Sequence, residues 1–192
     1  MSEGRRVERA DAARNRRAIL EATMTLLDEH GAAGVTMDRV AAAAGVGKGT
    51  IFHRFGSRSG LLYELIAEGA TELMTRVLDG PPPLGPGAPA GDRLLAFFDA
   101  MTCLVTDHVE LIAAYRAMPP HPRTEEFHAF WAEHISTLLQ EVRPDLDAET
   151  VGALLLSSIG GDLAQQMARA GEVARLRAAV QDMVRSVLNI PR

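Results

Sequence analysis

The chain has 192 residues, 47% of them hydrophobic, with a net charge of −5 and a single cysteine. That length can bury a sizeable core as one or two small domains, and no apolar run is long enough to span a membrane. One cysteine, Cys103, excludes an internal disulfide, and burial in a helix is its expected role.

The charge is split. Residues 1–60 carry ten Lys and Arg against seven Asp and Glu (net +3), whereas residues 61–192 carry ten against eighteen (net −8). Only the first part suits a polyanion. The N-terminal stretch MSEGRRVERADAARNRR is basic but has no apolar signal segment, so it reads as a flexible arm of a cytoplasmic protein. Its Arg5, Arg6, Arg9, Arg14, Arg16 and Arg17 are candidates for phosphate contacts.

A first helix is expected over residues 15–30, with Ile19, Thr23, Leu26 and Leu27 on one stripe and Gly31 as its stop. The stretch that follows, VTMDRVAAAAGVGKGTIFHRFGSR at 35–58, has the pattern of a helix-turn-helix. Thr36 is placed to cap a short helix, Asp38 adds negative charge to its first turn, and Val35 and Val40 have the spacing of a hydrophobic staple. Val40, Ala41 and Ala44 form its buried stripe. Gly45 supplies a left-handed turn and Val46 an apolar turn residue. A second short helix over 47–55 turns Ile51 and Phe55 inward, which leaves Lys48, Thr50, His53 and Arg54 polar and outward. Gly49 lets the backbone of the leading turn approach DNA closely. Lys48 is the only lysine in the chain.

A phosphate-binding P-loop is the competing reading of Gly45-Val46-Gly47-Lys48-Gly49-Thr50. It fails because Gly49 stands where Ser or Thr must follow the lysine, no glycine stands at the required place upstream, and a helix rather than a strand precedes the segment.

The same stretch resembles the tetracycline-repressor (TetR) family of bacterial transcription regulators, over roughly residues 12–66. The likeness lies in the Thr-capped helix, the Ala-Gly-Val turn and the run from Lys48 through Phe55 to Ser57-Arg58. It implies DNA contacts from Thr36, Lys48, Gly49, Thr50, Phe52, His53, Arg54 and Arg58. Three departures stand out. Phe52 replaces a tyrosine whose hydroxyl would donate to a phosphate, so it is left to pack against the sugar-phosphate edge. Gly47 replaces a serine cap at a cost of a few tenths of a kcal/mol. Gly60 occupies the third helical position after Ser57, where a capping-box glutamate would serve, so a soft start to the fourth helix is expected.

That helix should begin around Leu61, Leu62, Leu65 and Ile66 and continue through Met74 and Val77. The Pro/Gly segment at 80–91 should be a mobile loop. Helices are expected at 92–107, 108–118, 124–143, 148–170 and 173–189, and no strand-like alternation competes. Gly160-Gly161 suggest a kink or a close helix approach. The architecture is therefore all-α: a helix-turn-helix DNA-binding domain with its arm at 1–57, then a helical effector-binding and dimerisation domain at 58–192. Large apolar side chains concentrate in the middle helices, and Phe97, Phe98, Met101, His108, Met118, Phe127, Phe130 and Trp131 are the effector-site candidates. Arg116, His121, His128 and His134 are further polar candidates. His128 and His134 lie on different helix faces and do not make a shared metal site.

The last two predicted helices are strongly apolar. By the resemblance they form a four-helix dimer interface, with Leu155, Ile159, Leu163, Leu176, Val180, Met183 and Val187 as its candidates; a monomer's own core is the other reading of that seam. The expected function is that of a ligand-responsive homodimeric repressor acting on a palindromic double-stranded operator. A transcriptional activator of the same fold stays open, because sign depends on operator position. A catalytic or ligand-binding helical protein has less support. No catalytic triad, metal motif or cofactor loop is present, so no enzyme activity, cofactor or membrane partner is expected.

Overall fold

A computed structural model describes residues 2–119 and 121–189, except for the side chains of residues 2–9. Pro120 and the side chains of Arg5, Arg6 and Arg9 lie outside the described residues. Ten α-helices and no strands are found among the described residues. No helix among them is long and apolar enough to cross a membrane.

Helix α1 (Ser2–Gly34) absorbs the segment expected to be a flexible arm. Arg, Glu and Ala are good helix formers, so this stretch needs no apolar stripe to continue the helix. Its regular course is interrupted at Gly31, where φ is 64°. The two short helices α2 (Met37–Ala43) and α3 (Lys48–Phe55) follow within a residue or two of their expected positions. Helix α4 (Arg58–Asp79) comes next, capped by the Ser57 hydroxyl, which accepts the Gly60 N–H at 3.0 Å. Gly60 serves a packing need there, because a Cβ at this position would overlap the carbonyl oxygen of Phe55.

The Pro/Gly segment after α4 is turned, and its Leu84 is buried against neighbouring apolar side chains. Then come α5 (Ala90–Asp107), α6 (Val109–Arg116) and α7 (Thr124–Val142). The single helix expected over 148–170 is two, α8 (Ala148–Gly160) and α9 (Asp162–Arg169). Gly161 is extended between them (φ −71°, ψ 170°), so the expected kink is a full break. Helix α10 (Val173–Leu188) ends at Asn189, whose left-handed φ of 56° is a common helix stop.

The chain forms two compact units, one of Met1–Ile66 with Glu110–His121 and one of Ala67–Val109 with Pro122–Arg192. This division differs from a cut at 57/58, because the first turns of α4 and nearly all of α6 pack with the N-terminal helices. The first unit buries Ile19, Leu20 and Leu27 of α1, Val40 of α2, Ile51 and Phe55 of α3, Leu61 and Leu62 of α4, and Leu111 and Tyr115 of α6.

In the second unit α5 packs against α7 and α10, and α7 against α8. Leu94, Phe97, Phe98, Ile135, Leu139 and Val184 are fully enclosed. Polar ties fix the helix pairs. Arg177 of α10 pairs with Asp99 of α5, and Gln181 donates to the Leu95 carbonyl at 2.9 Å.

This packing accounts for most of the seam assigned to a dimer interface. Leu155, Ile159, Leu176 and Val180 are buried within the second unit, and Met183 and Val187 pack partly against its core. The first four are covered by the subunit itself, whereas Met183 and Val187 keep part of their surface exposed. Of the seven, Leu163 is the most open, at 68% exposure, and Leu154 on α8 is exposed to 67%.

Replacing Gly60 with alanine is expected to lower stability by about 1–3 kcal/mol, the usual cost of forcing an extra carbon into a filled site. Thermal melts of the variant should show a drop of several degrees, and an unchanged melting temperature would refute the packing argument.

Candidate nucleic-acid interface

The geometry of the candidate interface starts at Thr36, which is extended and accepts the Arg39 N–H through its hydroxyl at 3.3 Å. This cap sets the start of α2. At the other end Gly45 adopts φ 66°, a conformation that residues with a Cβ reach only at a cost. The chain then reverses, and the Val46 N–H donates to the Ala41 carbonyl at 3.0 Å. Gly47 begins α3 without a side-chain cap.

Ile51 and Phe55 are buried beneath α3, while Lys48, Gly49, Thr50, Phe52, His53 and Arg54 are all exposed. One face of an eight-residue helix thus carries two cations, a hydroxyl, an imidazole and an exposed aromatic ring. Phe52 is 44% exposed, so its ring is available to a partner. Thr36 is exposed at the start of α2.

Three of the cations are already engaged. Lys48 Nζ lies 2.5 Å from Asp38 Oδ1 across the turn. Both groups are mostly exposed, and such pairs contribute about 1 kcal/mol or less, so a phosphate can take the lysine over. Arg54 donates to the Ala12 carbonyl at 2.8 Å, bracing α3 against α1. Arg58 does not join the open face. It is half-buried, donating to the Ala32 carbonyl at 2.5 Å and to Met118 Sδ at 3.7 Å, and its Nε is buried without an acceptor. Its expected DNA contact therefore competes with a tie that fastens α4 to the end of α1. Among the arginines of α1, Arg14 pairs with Asp11, and Arg16 donates to Glu64 at 2.8 Å.

Residues 19–65, which contain this whole arrangement, match the family described as bacterial regulatory proteins, tetR family. Residues 19–65 are thus similar to the helix-turn-helix domain of that family. An HTH-type transcriptional regulator of Staphylococcus aureus (strain USA300) is 40% identical over 58 residues, which are 30% of this chain. The regulator of strain NCTC 8325 gives the same values. The match spans only 31% of the length of these curated relatives. Likeness across the rest is one of fold. The crystal structure of a transcriptional regulator from Rhodococcus sp. Rha1 aligns with a TM-score of 0.70 and 19% identity, covering 91% of this chain and 96% of that one. The TetR-family regulator PfmR from Thermus thermophilus aligns at 0.62 and 18%, covering 91% and 98%.

Outside residues 19–65, the effector candidates divide between the units. Phe97, Phe98, Met101, Phe127, Phe130 and Trp131 belong to the core of the second unit or pack against it. His108 is in that unit also, with a buried Nδ1 that has no hydrogen-bond partner. Met118 falls in the first unit beside Arg58, and His121 stacks on Tyr63 there at 4.2 Å between ring centroids. Of the other polar candidates, Arg116 and His128 are exposed. His134 is the one among Phe97, Phe130 and Trp131: its ring lies 5.3 Å from Phe97 and 6.3 Å from Phe130. Sequence reading passed over Arg93, which reaches into the same region from α5; nothing in its spacing sets it apart from an ordinary helix arginine.

Burial, assisted by the nearby Arg93 charge, lowers the His134 pKa to about 4. The unfolded chain takes up this proton near pH 6.5, before the folded one does, so the stability due to neutral His134 is complete above that pH and is lost as the pH falls toward 4. His134→Gln should therefore flatten this part of the stability profile. Melting temperatures of both proteins between roughly pH 7.5 and 4.5 test it, and parallel curves would contradict the assignment.

Proposed function

We propose that this protein is a homodimeric transcriptional repressor that places α3 of each subunit in the major groove of a palindromic operator and leaves it when a small molecule binds the helical second unit. The observation that carries the reading is the outward face of α3, where Lys48, Thr50, Phe52, His53 and Arg54 stand together above a buried Ile51 and Phe55. Gly49 on the leading turn allows the backbone itself to come close. Two such helices on a two-fold axis read half-sites about 34–36 Å apart, or slightly more.

Dimerisation is supported by the outer side of α8 and α9, where Leu154 and Leu163 are the two most exposed large apolar residues named in the second unit. Such side chains are worth covering, and a second copy of the same surface covers them symmetrically. Effector release needs only a modest coupling, about 1–3 kcal/mol between the two ligands. Helix α4 is the lever in this reading, because it starts at the Ser57 cap beneath the helix-turn-helix and its chain runs on into the second unit.

Selection of bound sequences from a random DNA pool tests the core of the proposal, with an enriched palindrome as the expected result. On the selected operator, Lys48→Ala should weaken binding and reduce the slope of log affinity against log salt by about 1 if Lys48 meets a phosphate, or relax base preference if it meets a base. Unchanged affinity and unchanged sequence preference would remove Lys48 from the interface. Leu154→Asp with Leu163→Asp should convert the dimer to a monomer in sedimentation equilibrium and lower operator affinity with it. A double variant that sediments as wild type would place the dimer contact elsewhere.

A further inference from the structure

In the second unit, one face of α5 carries Arg93 and, a turn later, Phe97. The facing side of α7 carries Phe130, Trp131 and His134 within a single turn. The Phe97 and Trp131 rings are 5.4 Å apart, and His134 approaches Phe97 edge-on. Two nitrogen atoms on these facing helices are buried without any hydrogen-bond partner, Arg93 Nε and His134 Nε2, the latter among the rings. The remaining contact of the guanidinium is a long one, 3.5 Å from Nη2 to the Val77 carbonyl at the end of α4. No Asp or Glu pairs with Arg93 among the described residues.

Buried polar atoms in native proteins are nearly always satisfied, and the exceptions call for a reason. A guanidinium whose Nε is buried with no acceptor and no carboxylate nearby to balance its charge is one such exception. Here two orphan nitrogens come from adjacent helices, close enough that the Arg93 charge depresses the imidazole's proton affinity. One anion that accepts from Arg93 Nε and from a neutral imidazole N–H at His134 Nε2 would satisfy both. With His134 neutral, the local charge is that of the guanidinium alone, which one carboxylate balances and a dianion overshoots. Phe97, Phe130 and Trp131 beside His134 supply the apolar surface that the body of such a carboxylate would need.

We propose that Arg93 and His134 form the anion-holding end of a ligand site in the second unit, and that its ligand is a small apolar or aromatic monocarboxylate. This rests on the reading of that unit as the effector-binding part, and it names the chemical class of the effector. Planar bidentate geometry makes Arg93 the principal anchor and His134 the orienting group.

The test uses the full-length protein with benzoate and octanoate as probes and benzamide and octanamide as neutral counterparts. Binding is read near neutral pH by thermal shift and by the fluorescence of Trp131, the only tryptophan. Both carboxylates, or the better fitting of the two, should raise the melting temperature and perturb Trp131, while the amides do not. Arg93→Gln should weaken carboxylate binding at least tenfold and His134→Gln several-fold. Arg93→Lys, which keeps the charge without the fork, should fall between wild type and Arg93→Gln, and it serves where Arg93→Gln fails to fold by circular dichroism. Equal effects of acid and amide, no response to either carboxylate, or carboxylate affinity unchanged in the Arg93 variants would overturn the proposal. Operator binding is measured in the same samples. Carboxylate binding that leaves the operator bound would sink the effector-release reading and keep the site, whereas normal operator binding with no carboxylate response would sink the site alone.

Discussion

Ile51 and Phe55, one turn apart on α3, are inserted into the core supplied by the N-terminal helices, and this anchoring determines what the rest of the unit can present. Burying two such side chains is worth about 1.5–3 kcal/mol each. For a helix of two turns, which has almost no stability of its own, that is the reason it exists. Because both anchors lie on one side, the rotation of α3 about its axis is fixed, and Lys48, Thr50, Phe52, His53 and Arg54 are held outward without any of them having to be packed. The Thr36 cap and the left-handed Gly45 fix the angle at which α3 leaves α2, and the Arg54 bond to the Ala12 carbonyl ties its far end to α1.

This part was legible in the sequence because its determinants are local. A cap, a turn glycine and two apolar residues four apart act within a few positions of one another, so spacing alone carries the information. The extension of α1 to Ser2 was not read, since a helix rich in Arg, Glu and Ala shows no apolar period. Gly60 was read as a missing glutamate, when the reason for it is a carbonyl belonging to the preceding helix.

The second unit shows where periodicity stops being informative. The apolar seam on α10 is real, yet Leu176 and Val180 are covered by the subunit itself. A hydrophobic stripe states that something covers it and is silent on whose residue that is. Arg58 illustrates the same gap for charge. A basic residue at the edge of a helix-turn-helix invites assignment to a phosphate, but its guanidinium is spent on the Ala32 carbonyl and Met118, sixty positions away in the chain for the latter. Arg93 and His134 lie forty-one residues apart in the sequence, and only packing of α5 on α7 makes neighbours of them.

The path of the chain between the units has its own consequence. The backbone leaves the first unit after Ile66, returns at Glu110 with α6, and leaves again after His121, so three junctions join the two parts. Leu111, Ala114 and Tyr115 are buried in the first unit although they are encoded in the middle of the second. The helix-turn-helix part is therefore not a cassette. A chimera spliced at one junction would carry the helix-turn-helix away from α6 and leave behind an apolar helix fitted to a surface it no longer meets. Recombination can exchange the first unit cleanly only by moving two separate stretches of sequence at once.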